Sequence, residues 1–208
     1  TMTTNTATTV RASSNSINTT ESGPTCNSVV FEEMQFGKFK ISPSQIFYNS
    51  PTNLTAAIVN LRPIVPGHVL VVPHRVVPHL SQLTDEEHDD LWRSVRIVQR
   101  ALEEHYGDDE TGSGCGFNVA VQDGKVAGQS VPHVHVHILP RKNNDFERND
   151  DVYDALEAWA PTEKMVQEKA EEIAKNSLNV PDDDDRIDRT MQMMEDESMA
   201  YRSLLYRD

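Results

Sequence analysis

Cysteine is nearly missing from this chain: Cys26 and Cys115 are the only two in 208 residues, far apart and without a C-x-x-C partner. That spacing gives neither a disulfide framework nor a thiolate zinc site, and it fits a reducing compartment. Positive charge is also in short supply. Nineteen Lys and Arg stand against 33 Asp and Glu, a formal charge of −14, which argues against a broad electrostatic grip on nucleic acid or on an anionic membrane. Any anionic ligand must be held by a local site. No apolar run approaches the roughly 20 residues that a membrane-spanning helix needs, so a soluble protein is expected. No internal repeat is visible, and the length suits one domain with tails.

Large apolar residues are almost lacking from the first 28 positions, TMTTNTATTVRASSNSINTTESGPTCNS. Such a stretch cannot bury enough surface to offset the entropy of ordering, so residues 1–30 are read as a disordered tail. It is acid-poor, as a mitochondrial transit peptide would be, but its single arginine, Arg11, is too little for an amphipathic basic helix. The expected location is the cytoplasm, extending to the nucleus, rather than the mitochondrion. The Asn-x-Thr matches at Asn18 and Asn53 would need a secretory route, and no signal peptide is visible.

From Phe36 onward the pattern changes, and residues 31–160 are expected to form the domain. Phe36-Gly37-Lys38-Phe39-Lys40-Ile41 alternates, and Ile46–Tyr48 and Leu54–Asn60 are rich in strand formers. The Pro66-Gly67 turn releases the apolar run His68–Val72, which reads as another strand. Thr84 and Glu87 form a capping box, followed at helical spacing by Leu91, Val95, Val98 and Leu102 up to Gly107. Residues 116–122, GFNVAVQ, then pass through a Gly-rich turn to a final strand, so an antiparallel hairpin with a longish loop is expected. The class is α+β. Residues 161–208 read as a helical, acidic C-terminal extension in which Asp182–Asp185 is a solvated linker and MAYRSLLY docks one apolar face.

The final strand carries the chemistry. In GQSVPHVHVHILPR (128–141), His133, His135 and His137 alternate with Val134, Val136 and Ile138, the period-two pattern of a strand with one packed face. A strand rises about 3.3 Å per residue, which puts His133 and His137 roughly 13 Å apart. One metal ion with ligand bonds of about 2 Å cannot take all three side chains. An extended polyanion lying along the row fits better, with imidazoles acting as donors, proton carriers and nucleophile toward phosphorus. Neighbouring imidazoles oppose one another's protonation, which keeps a ring nitrogen available at neutral pH. Gly124, Gly128, Gln129 and Ser130 before the strand supply backbone N–H groups and a hydroxyl for phosphate oxygens, and Gln122 on the partner strand offers a neutral amide to a leaving oxygen. His74, His79, His88 and His105 are read as ordinary structural residues.

His133-Val134-His135-Val136-His137-Ile138-Leu139 resembles the His-φ-His-φ-His-φ-φ signature of the histidine triad superfamily, where φ is hydrophobic. The surrounding VQDGKVAGQSVPHVHVHILPRK is similar to the fragile histidine triad branch, the diadenosine polyphosphate hydrolases. The likeness runs from Phe36 to Leu156 through FGKFKISPS, IVNLRPIVPGHVLVVP and NDDVYDAL. It implies a five-stranded antiparallel sheet with a long helix, two subunits pairing into a ten-stranded sheet. It also implies cleavage of dinucleoside polyphosphates, diadenosine triphosphate giving AMP and ADP, through a nucleotidyl-histidine on His135. His137 and Gln122 would bracket the reacting phosphate and bridging oxygen. Gln129 and Ser130 would hold phosphate oxygens, while His133 and His68 orient the triad. Asn60 is expected at a ribose and Phe36 at adenine. A divalent cation, magnesium or manganese, would ride on the polyphosphate without a protein cage. Pro132 stands where the branch often has lysine, removing a cation and an N–H next to the triad. Two alternatives stay open: a nucleoside phosphoramidase using the same nucleophile, against which Gln122 speaks, and a nucleotide-binding signalling module whose hydrolysis is incidental.

Overall fold

The computed structural model describes residues 29–107, 115–158 and 189–207. The N-terminal tail up to residue 28, with Cys26, and the acidic run at 182–185 lie outside them.

The stretch read as one alternating strand is a hairpin. Met34–Phe36 (β1) and Phe39–Ile41 (β2) pair antiparallel, Phe36 opposite Phe39, with Gly37 in the turn at φ +57°. The apolar positions change parity at the turn, from 34 and 36 to 39 and 41, as a two-residue reversal requires. Gly37 is required here: a Cβ would lie 2.5 Å from the Val131 side chain, in a backbone region that L residues rarely enter.

Five strands make the main sheet: Ile46–Asn49 (β3), Thr55–Val59 (β4), Val69–Pro73 (β5), Gly116–Ala120 (β6) and Val136–Arg141 (β7). Their order is β3-β4-β5-β7-β6 and every pairing is antiparallel. The long helix α1 (Asp85–Tyr106) starts at the expected box, Thr84 Oγ1 accepting from Glu87 N–H and Thr84 N–H donating to Glu87 Oε2 at 2.9 Å. It ends at Gly107 with extended rather than left-handed backbone, where a Cβ would crowd the Glu103 carbonyl at 2.5 Å. Leu91, Val95, Val98 and Leu102 pack on Ala57, Val59, Val69, Val71, Val136 and Ile138, and this is the principal core.

The opposite face of the sheet is not solvated. Ile58, Leu70 and Val72 are covered by Phe36 and Ile41 of the hairpin and by Val131, and Leu139 by Val152 and Leu156 of α2 (Asp151–Glu157). The C-terminal helix α3 (Met191–Leu205) completes the principal core with Met194 and Tyr201. It also covers the edge strand β3: Ser198 Oγ donates to the Ser44 carbonyl at 2.6 Å, Arg202 Nε to the Ile46 carbonyl at 3.0 Å, and Asn49 N–H to the Tyr206 hydroxyl at 3.1 Å. Pairing groups left on a sheet edge would otherwise template association. No helix among the described residues is long and apolar enough to cross a membrane.

Candidate active site

The histidine row straddles the start of its strand. β7 begins at Val136, so His137 lies in the ladder opposite Leu70 and Ala120, while His133 and His135 occupy the extended lead-in. Pro132 has no N–H to pair, and β6 has already ended at Ala120, which removes the neighbour a longer ladder would need. The lead-in is held otherwise, by Val134 N–H donating to the Val77 carbonyl at 2.7 Å. Alternation survives: Val134, Val136 and Ile138 enter the helix-side core, and all three histidines point into the other side, each with no exposed surface.

Backbone groups set the tautomer of each buried imidazole. Gly37 N–H donates to His133 Nδ1 at 3.1 Å, so His133 carries its proton on Nε2, which reaches the Pro73 carbonyl at 2.9 Å. His135 Nδ1 lies 2.7 Å from the His133 carbonyl and must be the donor there, which leaves the lone pair of a neutral ring on Nε2. Ile64 N–H donates to His68 Nδ1 at 3.1 Å, so His68 donates from Nε2 to His137 Nδ1 at 2.9 Å and the His137 proton is on Nε2. Adjacent rings thus present opposite polarity: an acceptor on His135 and a donor on His137, their centroids 4.9 Å apart.

Burial keeps these rings neutral. It pushes His133 down to about 4, lowers His135, and lowers His137 well below the ordinary imidazole range, where repulsion from His135 and His68 adds to desolvation. Phe36 lies over the row, 5.5 Å from the His133 ring and 5.2 Å from the His135 ring. Together with Ile41, Ile58 and Leu70 it forms an apolar wall on the face of the sheet that carries His135.

The other expected residues are placed as follows. Asn60 is buried beside His68, its Oδ1 accepting from Arg62 N–H at 3.0 Å and its Nδ2 3.4 Å from both His68 ring nitrogens. Gln122 Oε1 and Ser130 Oγ are buried with no hydrogen-bond partner among the described residues, an arrangement that costs free energy until a ligand or water supplies one. Gln129 turns its amide to the Pro78 carbonyl at 2.7 Å. Sequence reasoning missed the backbone of Gly37, Ile64, Pro73 and His133, because tautomer control by main-chain groups leaves no side-chain signature. Among the described residues no group of three or more His, Cys, Asp or Glu side chains converges on one point as metal ligands.

The stretch of chain that builds this site is matched in known proteins. The family model of the HIT domain matches residues 40–144. The chain belongs to the histidine triad family. Within it, the chain falls in the fragile histidine triad branch. A bifunctional bis(5'-adenosyl)-triphosphatase/adenylylsulfatase FHIT of Arabidopsis thaliana is 45% identical over 180 residues, covering 86% of this chain and 86% of that protein. An asymmetrical bis(5'-nucleosyl)-tetraphosphatase of Schizosaccharomyces pombe is 43% identical over 176 residues, covering 80% of this chain and 91% of its own. Among solved structures, the NitFhit protein of C. elegans superposes with a TM-score of 0.58 at 34% identity over 83% of this chain, which spans 30% of that longer protein. The histidine triad fold of this chain is therefore the five-stranded α+β sheet shared with that branch.

Proposed function

We propose that the protein hydrolyses dinucleoside polyphosphates, diadenosine triphosphate yielding AMP and ADP. One observation carries the reading: His135 is held with its lone pair on Nε2 beside His137, which is held with its proton on Nε2. His135 Nε2 attacks the α-phosphorus of one nucleotide, forming a P–N bond as the bond from phosphorus to the bridging oxygen breaks. The departing oxygen of ADP accepts a hydrogen bond from His137 Nε2–H. Water then attacks the same phosphorus and gives up a proton to solvent, the P–N bond breaks, AMP leaves, and both rings return neutral. Two in-line displacements give net retention at phosphorus. Neutral rings suit this work, since a protonated His135 has no lone pair to offer.

Positioning supplies much of the rate in such transfers. Ser130 Oγ offers a buried hydroxyl to a phosphate oxygen, and Gln122 would reach one through its amide nitrogen. Phe36 and the apolar wall suit the adenine, and Asn60 the ribose. A divalent ion, magnesium or manganese, would neutralise polyphosphate charge from the substrate side. The donor set fits that arrangement, because the groups around the triad are neutral imidazoles, amides and a hydroxyl rather than carboxylates. The Arabidopsis relative's name adds adenylylsulfatase to triphosphatase. Adenylyl sulfate presents the same phosphorus with sulfate as leaving group, so we extend the proposal to it as a second substrate.

We also propose a homodimer formed through β6, in the cytoplasm and nucleus. Side chains of α3 engage β3 at one edge of the sheet, whereas β6 forms the other edge with Gly116 and Val119 exposed. Pairing two β6 strands would give ten continuous strands and remove the β6 edge of each subunit.

Product analysis with diadenosine triphosphate and magnesium tests the hydrolase reading. Equal AMP and ADP are expected from the wild type, with turnover falling by about 10³-fold or more in His135→Asn. Tight binding without turnover would instead make the protein a dinucleotide-binding module, and faster cleavage of an AMP–lysine P–N bond would make it a phosphoramidase.

A further inference from the structure

The loop that carries Gln122 and Ser130 is tied at both ends to the segment just before α1. At its start, His79 Nδ1 lies 3.0 Å from Asp123 Oδ1, and the same carboxylate oxygen accepts Leu80 N–H at 3.4 Å. At its end, Gln129 donates to the Pro78 carbonyl at 2.7 Å. Between these ties the chain closes on itself. Gly124 carbonyl accepts from Ala127 N–H at 3.0 Å and from Gln129 N–H at 3.2 Å, and Gly128 N–H donates to the Lys125 carbonyl at 3.1 Å.

Two glycines make the closure tight. Gly124, at φ +94°, packs against His79, so that a Cβ there would lie 3.2 Å from the ring. Gly128, at φ +88°, packs against Gln122, where a Cβ would lie 2.5 Å from the amide nitrogen. A continuous line of contact thus runs from His79 through Asp123 and Gly124, around the turn to Gly128, and back to the Gln122 amide. Val126 at the apex is fully exposed, and nothing else among the described contacts anchors the apex. The two ties are therefore what fixes the loop.

We propose that His79 and Asp123 are positioning residues: their contact latches the 122–130 loop onto the segment before α1 and holds the Gln122 amide where the phosphate chain must meet it. Neither side chain touches the triad, so the latch acts on chemistry only through Gln122 and its loop. His79, an ordinary surface histidine by sequence pattern, acquires a role because the fold brings it 44 residues forward to Asp123. The proposal rests on the hydrolase reading for its kinetic consequence and on geometry alone for its structural one.

Two measurements test it together. In His79→Ala, hydrogen exchange at the Ala127, Gly128 and Gln129 amides should quicken about fivefold, as for the loss of about 1 kcal/mol of exposed polar contact. His79→Gln, whose amide can donate to Asp123, should restore protection, and His88→Ala should leave it unchanged. In parallel, kcat on diadenosine triphosphate should fall about fivefold in His79→Ala with little change in KM, and should not fall further when His79→Ala is added to Gln122→Ala. Unchanged loop exchange in His79→Ala, or an undiminished kinetic effect in the Gln122→Ala background, would overturn the latch. An inactive wild type would overturn the hydrolase reading instead, and the exchange measurement would then decide the latch by itself.

Discussion

His68 Nε2 lies 2.9 Å from His137 Nδ1, and that contact, fixed in turn by Ile64 N–H on His68 Nδ1, decides which nitrogen of His137 carries the proton. The pair works as a tautomer relay. A main-chain N–H on one side of the site makes a side-chain N–H available on the other. His68→Ala removes the relay and lets His137 place its proton on either nitrogen. We expect kcat to fall by about 10- to 100-fold with KM changed little, since in the proposed mechanism the lost group serves the departing oxygen rather than ground-state binding. Steady-state kinetics on diadenosine triphosphate checks this. A loss confined to KM would assign His68 to substrate binding instead.

The pH dependence follows from burial. His135 is held below the ordinary imidazole value of 6.5, so its lone pair persists into mild acid and the acid limb of kcat/KM should fall below pH 6.5. Stability has the same sign. His133 is lowered to about 4 in the folded protein, so between that pH and 6.5 the unfolded chain binds more protons and acid favours unfolding. The stability is complete above pH 6.5 and declines as the pH falls. For His133 alone the loss between pH 7 and pH 4 is about 3 kcal/mol. Urea titrations across that range check it, and a flat midpoint would contradict the neutral buried assignment.

Gly128→Ala should damage chemistry more than folding. The added methyl would sit 2.5 Å from the Gln122 amide nitrogen, at a backbone angle of +88°. The amide must move, and displacement of a positioning group by about 1 Å costs on the order of 100-fold in rate. Turnover should fall by that order, while the strained φ costs about 1–2 kcal/mol of stability. Turnover within twofold of wild type would show that Gln122 does not need its present place.

The C-terminal helix should be integral to stability. Tyr201 is fully buried, its ring 5.0 Å from that of Phe47 and its hydroxyl 2.8 Å from both Glu197 Oε1 and Tyr106 OH. Tyr201→Ala should cost about 3–5 kcal/mol in equilibrium unfolding, as for other large aromatic truncations in a core. A cost below about 1 kcal/mol would mean that α3 is an appendage.

Much of this was readable in advance, for physical reasons that differ from element to element. The capping box at Thr84 and Glu87, with apolar residues at helical spacing behind it, is a local signal, and α1 lies where it indicates. The alternation from Val134 to Ile138 assigns the histidines to one face, because strand parity survives even where the ladder does not. Parity also misled. Read as one strand, Phe36 to Ile41 conceals a parity switch at Gly37-Lys38, where the chain reverses and Gly37 packs against Val131. Less accessible still were tertiary facts. Nothing local announces that Gly37 N–H, Ile64 N–H and the His133 carbonyl set three tautomers, or that His79 meets Asp123. These depend on how β1, the β4–β5 loop and the segment before α1 come together around β7.

In the proposed mechanism His135 Nε2 becomes bonded to phosphorus. The most direct test is a single-turnover reaction of excess enzyme with diadenosine triphosphate, quenched in base, digested and read by mass spectrometry. One AMP is expected on the peptide containing His135, appearing and decaying at rates consistent with turnover, and none in His135→Asn. Rapid turnover with no adduct on any histidine, together with inversion at phosphorus, would mean that water attacks directly, and would contradict the account.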